Sequence, residues 1–88
     1  MREDLVTEVA VIGEEIRQAR LAKGLTLDEV ANATKIRALV IDSMENDDFS
    51  PCGGRIYARG QIRGLAVYLG VEPDAWLEEF DTQFPDEG

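Results

Sequence analysis

Arg55, Arg59 and Arg63 stand four apart in the stretch RIYARGQIRGLAVYLG, interleaved with Tyr57 and Tyr68. A row of guanidiniums beside aromatic rings suits two kinds of partner. Phosphates are gripped through charge-assisted bonds, and polypeptides through aromatic contact area. Other chemistry is poorly provided for. With no histidine and a single cysteine, Cys52, the chain offers no histidine base, no internal disulfide and no zinc site built on those ligands. Cys52 lies in SPCGG, a loop composition, and reads as an inert thiol. No glycine-rich loop followed by Lys-Ser or Lys-Thr occurs, so nucleotide phosphates have no cradle. Carboxylates are plentiful but fall on solvated helix faces. The residues point to a non-catalytic binding domain that needs no cofactor and no metal.

The arginine row sits in an acidic chain. Nine basic and 18 acidic residues among 88 give a formal charge of −9. The spread matters more than the total: residues 17–63 carry a net +2, between flanks of −4 (1–16) and −7 (64–88). Eighty-eight residues make one domain. No apolar run approaches the roughly 20 residues that cross a bilayer, and the acidic N-terminus lacks the pattern of a signal peptide. A lone cysteine suits a reducing compartment, so a cytoplasmic, monomeric domain is expected.

Five short helices must position these side chains. Residues 1–11 show no clear period and are taken as an arm of uncertain order. From Ile12, apolar residues at 12, 16 and 19 carry helical spacing as far as Lys23, with Gly24 as a C′ residue and Leu25 folding back. In TLDE, Thr26 and Glu29 form a capping box, the strongest local signal, opening a helix over 27–33. A turn at 34–36 leads into IRALVIDSMEN, which resumes helical spacing. A loop rich in Asn, Asp, Ser, Pro and Gly then precedes a helix over 55–69, stopped by Gly70. Pro73 opens a fifth helix over about 73–79, and residues 81–88 are taken as a frayed acidic tail.

The second and third helices and their short turn make a helix-turn-helix motif. Val30, Ala31, Ile36, Ile41 and Met44 are apolar where its packing requires. Lys35 occupies the turn position that favours glycine, at a cost of about 1 kcal/mol if φ is positive. The layout over 12–80 resembles the all-α, five-helix repressor-like (Xre/Cro) domain. Within that superfamily IGEEIRQARLAKGLTLDEVANATKIR, SMENDDF and YARGQIRGLAVYLGVEP resemble the N-terminal domain of the RodZ family of bacterial cell-shape proteins. The resemblance implies a cytoplasmic protein-binding domain. It would dock onto the actin-like filament protein MreB and be tethered through a basic linker to a membrane helix. It also implies contact through aromatic residues four apart on the fourth helix. The first matches Tyr57; the second falls on Gln61, a departure from the pattern.

On the fourth helix Ala58, Ile62, Leu65 and Leu69 share the core side, and Tyr57, Gln61, Gly64 and Tyr68 share a flank. Tyr57, Gln61, Arg63, Gly64 and Tyr68 are therefore the expected partner-binding residues, with Arg37 and Leu39 as additions. Half-buried packing is the competing reading for both tyrosines. Arg59 and Arg63 are expected to brace the fold through Glu45, Asp47, Asp48 or the first-helix glutamates, and Gly60 to serve internal packing. The alternative function is an Xre-type transcriptional regulator placing Arg37, Ala38, Leu39 and Asp42 in the major groove. Leu39 has no hydrogen-bonding group for a base edge, and Asp42 brings the wrong sign to phosphate. Val40 beside them is either core or surface.

Overall fold

The computed structural model describes residues 11–86, so most of the expected N-terminal arm and the last two residues lie outside the described residues. Among them are five α-helices and no strand: α1 (Ile12–Ala22), α2 (Leu27–Thr34), α3 (Ala38–Glu45), α4 (Arg55–Leu69) and α5 (Pro73–Gln83). A single 3-10 turn, Ser50–Cys52, interrupts the loop before α4.

Local chemistry explains most boundaries. At the end of α1, Gly24 turns left-handed at φ 69°. Its N–H bonds Leu21 O at 2.9 Å while that of Leu25 reaches Arg20 O at 3.2 Å, the paired bonds of a Schellman stop. The capping box is complete: Thr26 Oγ1 accepts from Glu29 N at 3.1 Å, and Glu29 Oε1 accepts from Thr26 N at 2.8 Å. Lys35 does adopt the left-handed conformation, at φ 66°, and its N–H bonds Ala31 O at 2.8 Å. Gly70 closes α4 as Gly24 closes α1, with Val71 N bonded to Ala66 O at 2.8 Å.

The helices meet over one core. Ile12 and Ile16 of α1, Val30 of α2, Ile41 and Met44 of α3, and Ile62 and Leu65 of α4 are fully buried. Trp76, Leu77 and Phe80 add α5 to that core. Val40 resolves as half-buried, packed against it. Two positions depart from the sequence reading. Cys52 is buried in the core, not left in a mobile loop, and burial pushes its thiol pKa up. Residues 81–83 do not belong to a frayed tail, because α5 runs on to Gln83. Phe84 then packs edge-on against Phe49 at 5.4 Å and beside Phe80 at 5.3 Å. Gln83 Oε1 accepts from Ile12 N at 2.9 Å, tying the two ends of the domain together.

The polar ties between helices were also not those expected. Glu45 pairs with Arg20, whose Nε and Nη2 reach its two oxygens at 2.7 and 2.9 Å, while Nη1 donates to Leu25 O at 2.9 Å. The Glu45 side chain is only 4% exposed, so this pair is buried. Asp47, left-handed at φ 65°, turns its Oδ1 onto Gly13 N at 2.9 Å. A Cβ at Gly13 would stand 2.5 Å from Met44 O, so only glycine permits this crossing of α1 and the end of α3.

Two stability predictions follow from these contacts. Arg20→Ala strands the Glu45 carboxylate in the core and should cost about 3–5 kcal/mol in urea unfolding, against a smaller loss for the double change Arg20→Met, Glu45→Leu. The second concerns Glu79, whose Oε1 is buried without a hydrogen-bond partner among the described residues. Burial, with Glu15 beside it, pushes its carboxyl up to about 7. A raised carboxyl pKa favours the folded state below the ordinary carboxylate range, and that stability drains away as pH rises to 7. Glu79→Gln should therefore raise the unfolding free energy at pH 8 by on the order of 1 kcal/mol after solvent screening, and change little at pH 4.

Candidate docking surface on the fourth helix

The 15 residues of α4 divide sharply. Ala58, Ile62, Leu65, Ala66 and Leu69 are buried, as the spacing requires. The opposite side is open and carries a run of apolar groups: Ile56 is 81% exposed, Val67 66%, Tyr57 65% and Tyr68 40%. Gly60 and Gly64 lie between them. Among the described residues, a Cβ placed on either would meet nothing within 4 Å, so Gly60 serves no internal packing there, contrary to expectation. Each glycine costs a helix interior up to about 1 kcal/mol, and no contact among the described residues explains either. Together they form a shallow, side-chain-free strip edged by four exposed apolar residues. Such a strip lets another backbone approach closely while the flanking rings supply contact area.

The arginine row does not belong to one surface. Arg55 Nη2 bonds Asp81 Oδ1 at 2.6 Å, and Arg59 Nη1 bonds the same oxygen at 2.6 Å. Arg55 also donates to Phe84 O, and its guanidinium carbon lies 5.1 Å from the centre of the Phe80 ring. Hydrogen bonding from Arg59 holds the Asp81 carboxyl below the usual carboxylate range, with the charges of both arginines helping. Arg59 thus braces the fold as expected, but through Asp81 on α5 and not through Glu45, Asp47 or Asp48. Arg63 is exposed and makes no ion pair among the described residues, so it alone of the row faces outward with the strip.

Of the five residues expected to bind a partner, Tyr57, Arg63, Gly64 and Tyr68 are exposed on this side. Gln61 is half-buried, with its Oε1 enclosed and unpaired among the described residues. Sequence reasoning missed Ile56 and Val67. Their signal was legible: at 100° per residue, Ile56, Gly60, Gly64 and Val67 project within one quadrant opposite the core side.

The alternative site forms elsewhere. Arg37 is exposed and precedes α3, Ala38 is half-buried, and Leu39 and Asp42 are exposed on α3, the helix that a DNA reader would insert into the groove. Asp28 joins Asp42 and Leu39 along the same cleft, whose lining includes one cation, Arg20, already committed to Glu45.

Comparison with known proteins gives the fold its family. Residues 15–76 match the model of a helix-turn-helix domain family. The chain belongs to that family. Its helix-turn-helix domain is of the RodZ-like kind: it is 32% identical over 71 residues, 81% of the chain, to the "Cytoskeleton protein RodZ" of Streptococcus pneumoniae. A Haemophilus influenzae relative carrying the name "Uncharacterized protein" is 31% identical over 65 residues, 73% of the chain. The chain spans 26% and 22% of the lengths of these relatives. No solved structure matches significantly. Among the described residues, no helix of this RodZ-like domain is long and apolar enough to cross a membrane.

If the glycine strip is kept for something outside the domain, filling it should stabilise the isolated protein. Gly60→Ala and Gly64→Ala should each raise unfolding free energy by about 0.5–1 kcal/mol in chemical denaturation, since alanine is the better helix former and meets no obstacle. A loss of stability would mean that the strip packs internally after all.

Proposed function

We propose that this domain is a non-catalytic protein–protein interaction module of a RodZ-like cell-shape protein. In this reading α4 docks onto a cytoskeletal partner, an actin-like filament protein of the MreB type. The observation that carries it is the solvent side of α4, where Ile56, Tyr57, Val67 and Tyr68 stand exposed around Gly60 and Gly64. Rigid aromatic rings give large contact area at small entropic cost, and a side-chain-free strip admits a partner backbone. Arg63 would supply the charged contact at the edge.

The transcriptional-regulator alternative asks α3 to meet phosphate with Arg37 while bringing Asp42 and Leu39 into the groove. Phosphate affinity grows with the number of local cations, and this face provides few. The RodZ name of a relative supports the cytoskeletal reading for the family, and the chemistry of α4 supports it for these residues.

Co-sedimentation with polymerised MreB from the source cell tests the proposal. Tyr57→Ala should lower the bound fraction by about tenfold in apparent affinity, the loss of one hot-spot ring, with the helical circular dichroism signal unchanged. Undiminished co-sedimentation of the variant would remove α4 from the interface. In a parallel arm, steeply salt-dependent binding of a random duplex at micromolar concentration would favour the regulator.

A further inference from the structure

A second feature lies away from the exposed side of α4. Between the end of α1, the α1–α2 turn, the start of α2 and the first turns of α3 runs an open cleft of about 680 Å³. Its walls are aliphatic: Leu21, Leu25, Leu27, Ala38 and Leu39. Leu21 and Leu39 are both among the large apolar side chains the domain leaves exposed. Its polar lining is Arg20, Asp28 and Asp42, with Thr26 at the edge. Each nitrogen of the Arg20 guanidinium is engaged, two on Glu45 and the third on Leu25 O. The sign of the cleft is therefore set by Asp28 and Asp42. Neither carboxylate is in an ion pair among the described residues, although Asp42 lies within the field of Arg20. Asp28 also favours the positive end of α2, but Asp42, well inside α3, has no such local role.

From this cleft we infer a second docking site whose occupant is a cationic amphipathic helix of another polypeptide. The helix sets aliphatic side chains between Leu21 and Leu39 and sets Lys or Arg against Asp28 and Asp42. Helix-in-groove recognition uses this combination of apolar anchors along one side and complementary charge at the rim. The sign is the discriminating point. Nucleic acids, phosphorylated segments and acidic peptides meet two carboxylates and no available cation in the lining. A second copy of this chain, at a net charge of −9, meets the same repulsion. The inference does not rest on the reading of α4, none of whose residues line the cleft.

The test uses two synthetic peptides of about four helical turns, one alternating Leu with Lys in amphipathic register and one with Glu replacing every Lys. Each is titrated into nitrogen-15-labelled protein. The Leu/Lys peptide should shift the amide signals of Leu21, Gly24, Leu39 and Asp42 saturably, and the Leu/Glu peptide should not. Asp28→Asn combined with Asp42→Asn should weaken the Leu/Lys peptide by about tenfold. The remote pair Asp74→Asn, Glu78→Gln on α5 makes the same change in net charge and should stay within about twofold. Leu39→Ser should weaken binding with the fold intact, since its side chain stands in solvent. Equal losses in both double variants would reduce the effect to bulk charge and overturn the site. Shifts confined to α4, binding of the Leu/Glu peptide, or shifts that follow protein concentration alone would overturn it as well.

Discussion

The guanidinium of Arg20 joins three parts of the chain by holding three acceptors on two residues, Leu25 and Glu45. It begins near the end of α1, closes the α1–α2 turn through Leu25 O, and grips both oxygens of Glu45 at the end of α3. Removing two charges from water is costly, and the cost is offset only because the bonds are bidentate and charge-assisted. Hydrogen bonding to Glu45 accordingly raises the Arg20 pKa further. The pair fixes α3 against α1 at one end of the crossing. At the other end of that crossing, Asp47 Oδ1 on Gly13 N fixes it again, at a point where no Cβ fits. With both ends pinned, the helix-turn-helix pair has one orientation on the rest of the domain.

That arrangement has a consequence for the surface. In spending Arg20 on Glu45, the domain leaves the cleft beside α3 with aliphatic walls and an acidic rim. Arg55 and Arg59 are spent likewise, on Asp81. Three cations that look available in the sequence, Arg20, Arg55 and Arg59, are thus consumed in holding helices together, and Arg63 is the member of the row left to solvent. The surface offered outward is instead apolar and aromatic on α4, apolar and acidic beside α3. A fold whose family bears the helix-turn-helix description here presents, beside α3, little of the positive potential that duplex DNA requires.

How much of this could be read beforehand depended on the distance over which each interaction acts. The capping box at Thr26 and Glu29, the Gly24 and Gly70 stops, the left-handed Lys35 and the buried side of α4 were all legible. Each depends on residues within about one or two helical turns. The flank that Tyr57 and Tyr68 share was legible for the same reason, while their exposure was left open against half-buried packing. Ile56 and Val67 were overlooked because attention fell on aromatic and charged types, not on plain aliphatics placed where solvent should be. Cys52 and Phe84 were misjudged because loop composition says nothing about whether a segment packs against a core assembled elsewhere.

The sequence by itself determined which segments become helices and which side of each is apolar, since period, caps and turn residues act between near neighbours. Only the tertiary structure decided who pairs with whom. Glu45 had several arginines within plausible reach, and the arginine row had several acids. Charge and reach are equivalent for all of them along the chain, and only the crossing of α1 with α3 and of α4 with α5 brings one partner within bonding distance. The same crossings made Gly13 obligatory and left a Cβ at Gly60 nothing to touch among the described residues, a difference that only the placement of the helices reveals.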